Sequence, residues 1–201
     1  MMKGVFIGFD GPNGVGKSTI IYEVSKKLIE SGYDVISTKE PTESELGKFI
    51  RRSEEKYTSY TLACLVAADR YNHVETYINP NLNAGKIILC DRFICSSLVL
   101  QRMDGVDIDF IWDLNSKVII PDIYFILTAS SSTLHDRLAQ RTHLTRFERD
   151  NKSEVELDYY NQAFDFLIKN NFHVERVNTE NDMNVSVNRI ISKIIDSISK
   201  R

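Results

Sequence analysis

Residues 5–19 read VFIGFDGPNGVGKST, an apolar run that ends at Asp10 and opens directly into the pattern G-x-x-x-x-G-K-S at Gly11. Ile20, Val24 and Leu28 then recur at helical spacing until Gly32. A strand, a glycine loop and a helix in that order leave few folds open. Glycines let the backbone curl so that successive N–H groups converge on phosphate oxygens, and the helix that follows aims its positive end at the same anion. The loop from Gly11 through Pro12, Asn13, Gly14, Val15 and Gly16, with Lys17, Ser18 and Thr19, is therefore expected to cradle a nucleoside triphosphate such as ATP. Lys17 is placed to reach the β- and γ-phosphates, and Ser18 to ligate Mg²⁺.

Beyond this unit, strands and helices alternate. Strands are expected near 34–38, 86–90, 121–127 and 172–177. Helices are expected near 43–52, 59–82, 93–102, 108–115, 131–139 and 154–168, and from Met183 onward, where Val187, Ile190, Ile194 and Ile198 continue an apolar stripe. Pro80 should disturb the last turn of the long 59–82 segment. This alternation calls for a mostly parallel sheet covered on both faces, and 201 residues suffice for one α/β domain, residues 1–201. A net charge of −3 argues against a dedicated duplex-binding surface but permits a local basic pocket. Cys64, Cys90 and Cys95 form no C-x-x-C pair and are read as small core residues of a protein in a reducing compartment. No signal segment or membrane-length apolar run is visible, so a cytoplasmic protein without a membrane partner is expected. The four histidines show no zinc-ligand spacing.

Four further features follow the loop: KEPT after the second strand, LVAADRYNHV in the long helix, ILCDRFICSS at the third strand, and the arginine-bearing LTRFERD near 144–150. Together with FDGPNGVGKST they resemble the thymidylate kinase family of nucleoside monophosphate kinases, over essentially the whole chain. The resemblance implies a three-layer P-loop fold with a five-stranded, mostly parallel sheet and a short arginine-bearing lid at about 140–150. It also implies a homodimer, and transfer of the γ-phosphoryl of ATP to dTMP with Mg²⁺.

Residue by residue, the resemblance places Asp91 and Arg92 where the two substrates meet, Asp91 toward Mg²⁺ and Arg92 on the acceptor phosphate. Asp10 is either close to the metal or simply orders the loop. Glu40 and Pro41 wall the acceptor pocket, while Lys39 and Arg51 either approach its phosphate or are surface charges. Arg70 is matched to a contact with the acceptor base, and Ser96 and Ser97 to polar positions that read it. Two positions depart from the family: Val66 stands where a stacking phenylalanine is common, and Leu100 where a tyrosine is common. Phe93 or Tyr71 offers a ring instead, unless both are core. These departures leave another pyrimidine nucleotide, or a deoxynucleoside, open as acceptor. A nucleotide-dependent switch is the reading from outside the enzyme class.

Phosphoryl transfer needs fixed positive charge around the migrating group. Members of the family that the chain resembles place that charge either in the variable loop positions or in the lid; Pro12, Asn13, Gly14 and Val15 carry none, so the resemblance implies that the lid supplies it, from Arg141 or Arg146. Arg137 and Arg149 can equally be solvated surface charges.

Overall fold

A computed structural model describes residues 4–142, 146–148, 153–180 and 182–199, with Glu148 described in its backbone only. Five parallel strands, β1 (Val5–Asp10), β2 (Val35–Lys39), β3 (Ile87–Asp91), β4 (Ile123–Thr128) and β5 (Val174–Asn178), lie in the order β2-β3-β1-β4-β5. Successive β1 residues face opposite sides, and both sides are apolar. Val5, Ile7 and Phe9 join one core with α1 (Lys17–Glu30) and α9 (Met183–Ser199). Phe6 joins the other, with α3 (Ser59–His73), α5 (Ile94–Met103) and α8 (Ser153–Lys169). A strand buried on both faces needs a continuous apolar run, which is what the sequence supplies.

The remaining elements are α2 (Glu45–Ser53), α4 (Asn79–Asn83), α6 (Ile108–Leu114), α7 (Ser131–Ala139) and a single 3₁₀ turn, Arg146–Glu148. Where observed bounds depart from the expected ones, capping and proline account for it. The second helix begins at Glu45 because the Ser44 side chain caps it, accepting from the Gly47 N–H at 3.1 Å. The 59–82 segment runs through a π-helical turn, Val74–Ile78, just before Pro80, whose missing N–H leaves the carbonyl four residues back without its helical partner. Cys90 and Cys95 are core residues, but Cys64 is exposed, because the face of α3 that carries Leu62, Ala63, Ala67 and Arg70 is the one turned inward. Among the described residues, no helix is long and apolar enough to cross a membrane.

The register fixes where chemistry is placed. Asp91 lies level with Phe9 on one side and Lys39 on the other, so the loops after β1, β2 and β3 leave the sheet together. The chain leaves β1 toward β2 and leaves β3 toward β4, and ligands of open parallel sheets bind outside the carboxyl ends of the strands at such a switch point.

Candidate active site

The phosphate loop is held from beneath by residues distant in sequence. Gly11 (φ 145°) passes so close to β4 that a Cβ there would meet the Leu127 carbonyl oxygen at 2.4 Å. Gly16 (φ 92°) turns the chain left-handed into α1 at its N-cap, a conformation that favours glycine. Buried Glu156 on α8 accepts from the Asn13 backbone N–H at 3.2 Å and from its Nδ2 at 3.2 Å. Arg137 on α7 donates to the Val15 carbonyl at 3.1 Å and to the Thr179 carbonyl at 3.1 Å, so it ties the loop to the end of β5. It is half-buried and bonded, not a solvated charge. Thr19 is exposed in the first turn of α1.

Lys17 is buried at 8 %, and its ammonium donates to the carbonyls of Gly11 at 2.7 Å and Pro12 at 3.0 Å. Burial, reinforced by nearby Arg92, lowers its pKa to about 8. The charged form is thus complete well below that value and is lost as pH rises through it. Triphosphate oxygens in the loop favour the ammonium, so ATP binding should take up a proton near pH 8 and weaken by about tenfold per pH unit above it. Calorimetric titration of ATP in buffers of different ionisation enthalpy checks this, and an affinity that stays flat between about pH 7 and 9 contradicts it.

Asp10 has no exposure and four donors. The hydroxyls of Tyr124 (2.7 Å), Tyr160 (3.3 Å) and Ser96, and the Phe93 backbone N–H (3.0 Å), all point at its carboxylate. Burial raises its pKa even so. It lines neither of the cavities described below, and a carboxylate so enclosed has no face for a substrate. Of the two roles expected of Asp10, this enclosure favours ordering: its carboxylate fastens the start of α5 beneath the loop and faces neither metal nor substrate.

Arg92 stands at the end of β3 with φ 69°, a strained position for a side chain of its size. Its Nη2 donates to Asn13 Oδ1 at 2.7 Å and its Nη1 to Ser96 Oγ at 3.0 Å, so one guanidinium joins the phosphate loop to α5. Burial works against its charge, but Tyr160 and the carboxylates of Asp10, Asp91 and Glu156 outweigh it and hold the pKa above the ordinary arginine value. Beside it, Ser18 Oγ donates to Asp91 Oδ2 at 2.8 Å, while Asp91 Oδ1 is buried without a hydrogen-bond partner among the described residues. A hydroxyl and a carboxylate with an orphaned oxygen form the hard-oxygen donor set that suits Mg²⁺.

A cavity of about 250 Å³ opens next to Arg92, with Glu40 and cis-linked Pro41 on one wall and Val66, Arg70, Ser96, Ser97 and Leu100 on others. Lys39 and Arg51 reach it as well, and both pair with Glu43, at 2.7 and 3.0 Å. Arg70 is 1 % exposed and donates to Glu40 (2.8 Å), Asn115 Oδ1 (2.7 Å) and the Phe93 carbonyl (3.0 Å), with its guanidinium over the Phe93 ring. Its neighbour Asp69, also buried, accepts from the Thr42 N–H at 2.7 Å and from Ser44 at 3.1 Å, which locks the Lys39–Thr42 loop to α3. Neither charge belongs to a solvated face. Phe93 is core, and Tyr71 bonds the Leu114 carbonyl at 3.0 Å; neither ring lines this cavity.

Sequence reasoning missed Gln101, whose buried Oε1 lacks a partner at the cavity wall, and Phe147, which lines the same cavity from the lid. The spacing of Gln101, nine residues after Arg92 on a helix that starts at the site, was the available signal. A second cavity of about 700 Å³ lies on the other side of Asp91, between α1, β2 and α3. Between the two, Glu40, His73 and Cys90 bring one ligand atom each within 4.8 Å of one another. Glu40 is engaged by Arg70 and by His73 Nδ1 (3.1 Å), while the Cys90 thiol, kept protonated by burial, donates to the Arg92 carbonyl at 3.2 Å.

Of the lid arginines, Arg141 lies exposed just beyond α7, and Arg146 pairs with Asp104 at 2.6 Å. Arg149 lies outside the described residues.

A phosphate loop with a buried lysine, an Asp-Arg pair at the neighbouring strand end and a basic-walled cavity beside it form a two-substrate phosphoryl-transfer site. Comparison with known proteins agrees. The family model for thymidylate kinase matches residues 9–190. A thymidylate kinase of Caldicellulosiruptor saccharolyticus is 36 % identical over 210 aligned positions that take in all of both chains. One of Finegoldia magna is 35 % identical over 206, covering 98 % of each. The match runs from the phosphate-loop strand into the last helix, so it spans both halves of the site, and the chain belongs to the thymidylate kinase family.

Proposed function

We propose that this chain transfers the γ-phosphoryl of ATP to the phosphate of dTMP, giving ADP and dTDP. Arg92 carries the reading, because one guanidinium touches the phosphate loop through Asn13 and also walls the acceptor cavity. A cation there draws the donor and acceptor phosphates to one point and offsets their mutual repulsion. The acceptor oxygen is already a competent nucleophile, so no covalent enzyme intermediate is needed and the protein acts by position and charge. Lys17 holds the β- and γ-phosphates, and its place under the loop keeps them in line with Arg92. Ser18 and Asp91 would hold Mg²⁺, which neutralises phosphate charge when bound. In the cavity wall, the Gln101 side-chain carbonyl, unpartnered among the described residues, suits a ligand N–H, which a pyrimidine imide supplies. The absence of charge from Pro12 to Val15 leaves the lid to complete the positive field, and Arg141, exposed just beyond α7, is the residue proposed to do so.

ADP release measured across nucleosides and monophosphates tests this reading. dTMP should be preferred, and a best rate with a deoxynucleoside would transfer the assignment to 5′-hydroxyl phosphorylation. We also propose a cytoplasmic homodimer. Three free cysteines suit a reducing compartment, and the exposed rings of Tyr60 on α3 and Phe110 on α6, 4.9 Å apart, offer a pairing face. Sedimentation of a monomer at micromolar concentration would set the dimer aside.

A further inference from the structure

Among the described residues that line the acceptor cavity, one carries an aromatic ring, and it comes from the lid. That residue is Phe147, in the turn Arg146–Glu148. The helices contribute aliphatic or polar side chains there, Val66 from α3 and Leu100 from α5 among them. The turn is anchored through Arg146, whose two terminal nitrogens donate to the two oxygens of Asp104 at 2.7 and 2.6 Å. Its guanidinium also lies over the Phe147 ring, 4.1 Å from the centroid.

Asp104 caps the C-terminus of α5, where the helix dipole disfavours a negative charge. A cation beside it relieves that conflict, and Arg146 is the cation. The two side chains are 21 % and 10 % exposed, so this bidentate pair is far less screened than an open surface ion pair. Phe147 is thereby held against the cavity by a guanidinium that is itself fixed to the helix carrying Leu100 and Gln101.

We propose that Phe147 is a specificity-determining residue, the aromatic surface against which the nucleoside part of the acceptor packs, and that Arg146 and Asp104 are positioning residues that hold it there. The proposal rests on the reading of this cavity as the acceptor site. A flat base has an apolar face that an aromatic ring matches and an aliphatic wall matches less well. Because the ring arrives with the lid, acceptor binding and lid position are one equilibrium.

The test measures kcat, the KM values for dTMP and ATP, and the rise in Tm that each ligand produces. Phe147→Ala should raise the dTMP KM by about tenfold or more and shrink the dTMP-induced rise in Tm, with the ATP KM within about twofold of the parent. Phe147→Tyr should restore both. Asp104→Ala should raise the dTMP KM by a smaller factor, and the double variant should be no worse than Phe147→Ala alone, since both act through one ring. If Phe147→Ala does not fold, Phe147→Leu keeps apolar volume, removes the aromatic face and should show the same KM rise. A dTMP KM unchanged in whichever of these variants folds overturns the proposal, as do Phe147→Ala and Asp104→Ala effects that simply multiply. Val66→Trp, which fills the same cavity from α3, separates the two levels of the argument. If it abolishes dTMP binding while Phe147→Ala leaves it intact, the lid ring is wrong and the cavity is right. If neither touches dTMP binding, the acceptor-site reading itself falls.

Discussion

Lys17→Met is expected to lower turnover by on the order of 10³-fold or more while the protein stays folded. Among the described residues the ammonium bonds the loop carbonyls of Gly11 and Pro12, and burial already disfavours its charge, so the fold gains little from it. Stability should even rise slightly in the methionine variant, which keeps the buried stem and removes the desolvated charge. Catalysis, in contrast, loses the one side-chain cation inside the phosphate loop. Circular dichroism and ADP release on the same preparation check both halves. Near-normal turnover in a folded variant would remove the loop from the mechanism.

Arg141→Ala is the second large effect, and it should fall on kcat more than on either KM. A cation delivered by a lid to the migrating phosphoryl group acts mainly in the transition state, where such arginines contribute roughly 10³-fold or more. An ordinary exposed charge alters turnover by less than about threefold, so the two readings are well separated. Arg146→Ala makes the contrast. Its guanidinium is bound to Asp104 and overlies Phe147, so its loss should weaken acceptor binding and leave kcat at saturating dTMP within about tenfold of the parent. Saturation kinetics on the two variants decide between them. If Arg141→Ala retains near-normal kcat and Arg146→Ala does not, the roles are exchanged.

What the sequence made legible was what neighbouring residues decide among themselves. Glycine spacing, an apolar strand before it and helical apolar spacing after it are local, so the phosphate loop could be read with its roles, whereas Asp91-Arg92 was set beside it by the family resemblance. The order of strands in the sheet places Asp91 level with Phe9 and Lys39, which no local pattern records. The supports of the site were not legible for the same reason. Glu156 reaches Asn13 across 143 residues, and Arg137 reaches Val15 across 122. In sequence, each is only one more charge on an amphipathic helix. Asp10 stood between two readings because its neighbours in the chain fit both. Four donors from β4, α5, α8 and the turn before α5 choose loop ordering. Asp104 illustrates the opposite case. An acid at a helix C-terminus is a local conflict, and its resolution by Arg146 became visible only when the lid was placed against α5.

The fate of the label of [γ-³²P]ATP distinguishes transfer to the acceptor from hydrolysis. With ATP and dTMP present together, the label should appear in dTDP, in step with ADP release, and release without dTMP should be a small fraction of that rate. Label that appears as free phosphate at the same rate whether or not dTMP is present would contradict the account, because a site that joins its two substrates through Arg92 should not turn over with one of them missing.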